Sequence, residues 1–264
     1  MWRQAFDRRM QSRQLRLIVA IGTMAGMFLN PTVALAVAPN TPCRDSGFPS
    51  WFDGGPVSNT TAFPGASGAD ASINTIDSAL CTTASDTVKG SLSWVGVGDA
   101  NDGAGNSIYQ VGIAKCKYTY TACDQVEHLF YAWGRTMGVD GCTLATHPPV
   151  PVSLGAAPAG THDYTVLKTA TQVQFKLDGV VKTTIGAGNI CWPSTGVRFA
   201  GETWDRGDQV GGTVGVHQQI SGALYYKSGT WFSPSFTTCT TEYLAEYICS
   251  RVNGQRVDIW SDRS

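Results

Sequence analysis

Between Gln172 and Asp178 the apolar side chains fall on alternate residues, with Val173, Phe175 and Leu177 on one side and Gln172, Gln174 and Lys176 on the other. A period of two is the mark of a strand with one side in a core and the other in water. Asp178-Gly179 follows at once. That dipeptide supplies the positive φ angles of a type I′ turn, so Val180 to Thr184 should return as the partner strand of a hairpin.

The same period recurs beyond residue 88, in Ser91 to Val97, Ile108 to Ala114, Val126 to Trp133, Asp163 to Leu167, Val197 to Trp204, Gly222 to Lys227 and Gln255 to Trp260. Only Thr241 to Ile248, where Tyr243, Leu244, Tyr247 and Ile248 are grouped, suggests a short helix. Many turn-separated strands without βαβ alternation predict an all-β, antiparallel two-sheet β-sandwich of the concanavalin A-like or jelly-roll type. Residues 37–87 are rich in Gly, Ser, Thr, Ala and Pro and read as an irregular N-terminal arm. Residues 88–264 form the sandwich domain.

The N-terminus has the three zones of a secretory signal. Arg3, Arg8, Arg9, Arg13 and Arg16 precede the apolar stretch from Leu17 to Leu29, and Ala34-Leu35-Ala36 offers a small-residue cleavage site. This assigns 1–36 to a signal peptide and places the rest of the chain outside the cell, with no membrane association after cleavage. All eight cysteines, Cys43, Cys81, Cys116, Cys123, Cys142, Cys191, Cys239 and Cys249, lie beyond the signal. In an oxidising exterior they are disulfide candidates, with four bridges as the ceiling and connectivity left open. Cys116 and Cys123 are spaced to bridge across a turn.

Of the 19 basic and 20 acidic residues, five basic and one acidic lie in 1–36, so the exported part is acidic. An acidic surface without a Lys/Arg cluster excludes nucleic acid as a partner. The four histidines, His128, His147, His162 and His217, show no zinc-ligand spacing, so neither metal nor other cofactor is expected. A GxSxG elbow and a Walker-type phosphate loop are absent. Glycan hydrolysis on a strand needs acids at even spacing. In Glu202-Thr203-Trp204-Asp205-Arg206-Gly207-Asp208, Asp205 has the wrong parity and Gly207 precedes Asp208.

Four segments in order carry a resemblance. Trp94-Val95-Gly96-Val97 is followed by Ile108-Tyr109-Gln110-Val111-Gly112, then Phe130-Tyr131-Ala132-Trp133, and last Ala200-Gly201-Glu202-Thr203-Trp204. The order resembles the secreted glutamic peptidases, or eqolisins, and their bacterial relatives, over about residues 90–215. The resemblance implies a sandwich whose concave sheet forms a cleft, with Gln110 and Glu202 as the catalytic pair of an endopeptidase active at acid pH. A carboxylate on an enclosed aromatic sheet could take a proton from water and pass it to a leaving amine, while a neutral amide held that water. Trp94, Trp133, Trp204 and Arg198 would line the substrate site. Thr203 stands where the family has Trp directly after the glutamate.

A second class of function fits the tryptophans Trp94, Trp133, Trp192, Trp204 and Trp231. Tryptophans and polar groups on a concave sheet suit stacking against sugar rings, as in a lectin-like module. A third is a structural secreted protein. The expected partner is thus a peptide or a glycan, bound by a monomer.

Overall fold

A computed structural model describes residues 52–55, 63, 65–78, 80, 88–98, 108–118, 123–124, 128–134, 152–186, 196–203, 208–209, 211–241 and 247–261. All belong to one compact unit, Ala34–Ser264. The strands in order are β1 (Phe52–Gly55), β2 (Gly68–Asn74), β3 (Val88–Gly98), β4 (Ile108–Tyr118), β5 (Cys123–Asp124), β6 (His128–Gly134), β7 (Val152–Ala156), β8 (Thr161–Lys168) and β9 (Gln172–Leu177). They continue with β10 (Val180–Gly186), β11 (Gly196–Thr203), β12 (Gly212–Thr213), β13 (Val216–Lys227), β14 (Thr230–Phe232), β15 (Thr240–Thr241), β16 (Tyr247–Asn253) and β17 (Arg256–Ser261).

Two antiparallel sheets contain them. The first runs β15-β1-β11-β3-β4-β6-β7, with β5 on β4; the second runs β10-β9-β8-β2-β13-β17-β16, with β12 and β14 on β13. The chain is therefore an all-β, jelly-roll type sandwich. Its main core lies between the sheets, where Val95, Val97, Tyr109, Val111, Val197 and Phe199 of the first meet Ala69, Ile73, Tyr164, Val166, Phe175, Ile220 and Ile259 of the second.

The expected hairpin is β9–β10. Val173, Phe175 and Leu177 are buried, and Asp178 and Gly179 take φ angles of 51° and 75°. The Asp178 carboxylate accepts the Asp163 backbone N–H at 3.0 Å and lies 2.8 Å from His162 Nδ1. These contacts hold the carboxyl below its usual range, the backbone N–H contributing most.

The structure departs from the sequence reading in three places. Phe52–Gly55, within the stretch read as irregular, is β1 and pairs with β11 in the first sheet. Gly68–Asn74, assigned above to the irregular arm, is β2 and sits between β8 and β13 in the second sheet. Its inward residues are Ala69, Ala71 and Ile73, two of them too small to announce a core strand by hydrophobicity. Residues 247 and 248, assigned to a short helix, open strand β16, where Tyr247 is buried against the core and Ile248 pairs with Trp260. Among the described residues Cys239 and Cys249 form a disulfide with Cα atoms 5.5 Å apart, and Cys116 is also disulfide-bonded. The bonds proposed for Cys43, Cys81, Cys142 and Cys191 fall outside the described residues, as does the side chain of Cys123.

Candidate functional site

The residues singled out by the sequence lie on the outer side of the first sheet, the side turned away from the main core. Parity places them there together. Register lines up Arg198 of β11, Gly96 of β3 and Gln110 of β4 in one row. Ala200, Trp94 and Gly112 form the next, and Glu202, Leu92 and Ala114 the row beyond that. Glu202 and Gln110 thus share a side but stand four positions apart along the strands. At about 3.3 Å per residue this separates them by roughly 13 Å before the offset of two strands is added. No single water can be held between them.

Nor does this side form an open cleft. Trp94 is 2% exposed, Gln110 3% and Glu202 5%, among Leu92, Ile108, Ala114, Phe130 and Ala200, which make a second buried apolar cluster. Trp94 Nε1 donates a 2.7 Å hydrogen bond to Glu202 Oε2. The other end of the indole lies over Gly96, where an added Cβ would come within 3.0 Å of Trp94 Cζ3. Gly112, beside Trp94, is tighter still, for a Cβ there would lie 2.0 Å from the Ser93 carbonyl oxygen. The glycines of the Trp-Val-Gly and Gln-Val-Gly segments are thus explained by packing. Glu202 fixes a buried indole, and Trp94 has neither an exposed face nor its N–H left for a ligand.

A second acid continues this buried polar network. Among the described residues β11 pairs with β3 up to Thr203 and Ser91, and the amide of Gly90 on β3 donates to Asp208 Oδ2 at 2.7 Å. Asp208 is fully buried and satisfies that backbone donor. Its own carbonyl accepts the Tyr247 hydroxyl at 3.2 Å. On the far side of β11, Asp53 of β1 is in backbone register with Glu202. Arg198 is half-buried. Trp204, and the side chain of Trp133 on β6, lie outside the described residues.

The outer side of the second sheet is different in kind. β13, β2 and β17 lay out a polar surface of Gln219, Ser221, Ser72, Asn74, Asp258 and Arg256, most of it partly exposed. At one end His217 stacks on Trp260 with ring centroids 4.0 Å apart and planes 10° from parallel. His217 Nε2 lies 2.9 Å from the Val214 carbonyl, and Nδ1 3.6 Å from Asp258 Oδ2. Asp258 receives Arg256 through Nε at 2.9 Å and Nη2 at 3.1 Å, a contact that holds the guanidinium firmly charged. Asn74 secures the start of β13, its amide donating to the His217 carbonyl at 3.1 Å while its oxygen accepts from Gln218 Nε2 at 2.9 Å. In the middle of the sheet Thr165 Oγ1 donates to Asp70 Oδ1 at 2.5 Å. Burial nonetheless pushes the Asp70 carboxyl up, with the nearby charge of Asp163 acting in the same direction.

The sequence missed this surface because β2 was read as irregular and because His217, Asp258 and Trp260 belong to strands 40 residues apart. The signal that could have found it is the alternation Arg256-x-Asp258-x-Trp260, which puts a cation, an acid and an aromatic on one side of a strand. Among the described residues no group of three His, Cys, Asp or Glu side chains converges to hold a metal.

No family model matches this chain, and no curated protein matches it either. Solved structures with a similar fold exist. A glycoside hydrolase family 16 endo-glucanase from Bacteroides ovatus is 11% identical over 60% of this chain and 67% of its own, with a TM-score of 0.36. A mixed-linkage glucan family 16 enzyme of the same organism is 9% identical over 86% of each chain, with a TM-score of 0.38. The laminarinase catalytic domain of Thermotoga maritima is 8% identical over 88% of this chain and 84% of its own, with a TM-score of 0.36. Likeness at this level concerns the sandwich architecture alone. The expected two-sheet sandwich stands on the strand topology, but the expected membership of the glutamic peptidases is not supported, since no family model matches. With Gln110 and Glu202 separated by register and buried, the expected acid endopeptidase activity is withdrawn.

Proposed function

We propose that this chain is a secreted, non-catalytic glycan-binding β-sandwich, and that it takes carbohydrate on the outer side of the second sheet. The observation that carries this reading is the Trp260–His217 stack beside the Asp258–Arg256 pair. A sugar ring offers an apolar C–H face and a rim of hydroxyls. It is recognised by a flat aromatic group with rigid donors and acceptors next to it. Trp260 and His217 supply the flat group. Asp258 supplies an acceptor locked in place by two hydrogen bonds, and Arg256 has more N–H donors than Asp258 consumes. The site the sequence suggested for such binding, around Trp94, is sealed; the surface across the sandwich is accessible.

The test is calorimetric titration of the purified, disulfide-intact protein with soluble neutral polysaccharides, alongside Trp260→Ala and Arg256→Ala. Saturable binding, weakened about tenfold by Trp260→Ala at unchanged melting temperature, is expected. Absence of binding to every polysaccharide by a folded protein, or binding indifferent to both substitutions, overturns the reading.

A further inference from the structure

The sheet register extends the site far beyond Trp260. At the opposite end of β13, Tyr226 pairs with Trp231 of β14, their rings 5.1 Å apart, and Tyr226 is in register with Gly68 of β2. An added Cβ on Gly68 would meet Tyr226 Cβ at 2.8 Å and Trp231 Cη2 at 3.2 Å. The Trp231 indole thus lies down across the sheet in the space a side chain would fill. It is half-buried and belongs to the same outer side as Trp260.

The rows between the two tryptophans are polar apart from Leu224. From the Tyr226–Gly68 row they run through Leu224, Asp70 and Thr165, then Ser221, Ser72 and Asp163, then Gln219 and Asn74, to His217 and Trp260. The path covers eight strand positions once the bulge between Ser221 and Leu224 is allowed for, or roughly 26 Å. It is far longer than one sugar ring. Its charges are Asp70, Asp163 and Asp258 against Lys176 and Arg256, and Arg256 is already committed to Asp258. A surface with this balance repels a sulfated or uronic chain and suits an uncharged one.

Resting on the glycan-binding reading, we propose that the ligand is a linear, uncharged glycan. It lies extended along β13, with Trp231 and Trp260 as stacking platforms at its two ends and the Asp, Ser, Asn and Gln side chains between them meeting its hydroxyls. Such a site binds a chain that reaches both platforms better than one that reaches either. The linkage between the two contacts makes the second effectively intramolecular.

The experiment titrates the full chain with neutral gluco-oligosaccharides of increasing length, from disaccharide to octasaccharide, and with a sulfated chain of matched length. It is repeated on Trp231→Ala, Trp260→Ala and the milder Trp231→Phe and Trp260→Phe, each checked for native melting. Affinity should climb with length and level off once the chain spans both tryptophans. Either alanine variant should lower the plateau about tenfold and flatten the climb, either phenylalanine variant should restore most of it, and the sulfated chain should bind at least tenfold more weakly. Binding that depends on Trp260 but is equal for short and long chains, or a sulfated chain bound as tightly as the neutral one, overturns the extended neutral site while leaving glycan binding at Trp260 intact. Failure of all lengths to bind overturns both.

Discussion

The two outer sides of the sandwich carry similar residue types to opposite ends. On the first sheet Trp94, Glu202 and Gln110 are sealed into an apolar cluster, and on the second Trp260, Arg256 and Gln219 are partly exposed while Asp258 is buried beneath Arg256. The difference begins with what lies between the polar groups. Around Trp94 the neighbours are Leu92, Ile108, Ala114, Phe130 and Ala200, so the indole N–H must be satisfied from within and Glu202 does so. Around Trp260 the neighbours are His217, whose ring covers one indole face, and half-buried Ile248 on the adjoining strand, with exposed Ser250 one row away, so the indole is only partly covered. A tryptophan beside an acid is therefore no evidence of a binding site until its surroundings are known. The sealed side contributes to stability, and the open side is where recognition belongs.

Substitutions on the sealed side should damage folding and leave recognition alone. The largest effect is expected from Gly112→Ala, whose new methyl collides with the Ser93 carbonyl oxygen in the middle of β3–β4. A loss of about 3 kcal/mol or more, or failure to accumulate folded protein, should appear in denaturant titration. Glu202→Ala comes next. It leaves the Trp94 N–H buried without its acceptor and should cost about 1–3 kcal/mol, whereas Glu202→Gln keeps an acceptor and should recover most of that. Retention of full stability by Glu202→Ala would erase the contrast between the two sides.

The smallest expected effect lies on the open side. Burial raises the Asp70 carboxyl in the folded state, so its contribution to stability is fully present below the ordinary carboxylate range and is lost as pH rises through the raised value. Asp70→Asn removes that loss while keeping an acceptor for Thr165. The variant should melt slightly above the parent at pH 7 and no higher than the parent at pH 3. Equal melting at both values would mean that Asp70 pays no burial penalty.

What could be read from the sequence divides along physical lines. The β9–β10 hairpin was legible because Val173, Phe175 and Leu177 are large and Asp178-Gly179 dictates its own turn. β2 was not, because Ala69 and Ala71 carry too little apolar weight to show a period of two. The resemblance paired Gln110 with Glu202, and the structure does put both on the outer side of the first sheet. The alternation along each strand could not give their separation, since register depends on loops and pairing partners rather than on either strand's own pattern. Nor could it show that this side is sealed. Tyr243, Leu244, Tyr247 and Ile248 imitate a helical stripe, yet Tyr247 is placed by strand pairing with Ser261 and by its hydroxyl bond to the Asp208 carbonyl.

The central claim is that recognition belongs to the outer side of the second sheet and not to the Glu202 side of the first. Backbone hydrogen exchange with and without a saturating neutral polysaccharide tests it directly, since both surfaces are read in one experiment. The account predicts added protection in β13 and β17, around residues 217–219 and 256–260, with β3 and β11 unchanged. Protection confined to residues 92–96 and 198–203, with β13 and β17 unchanged, would contradict it.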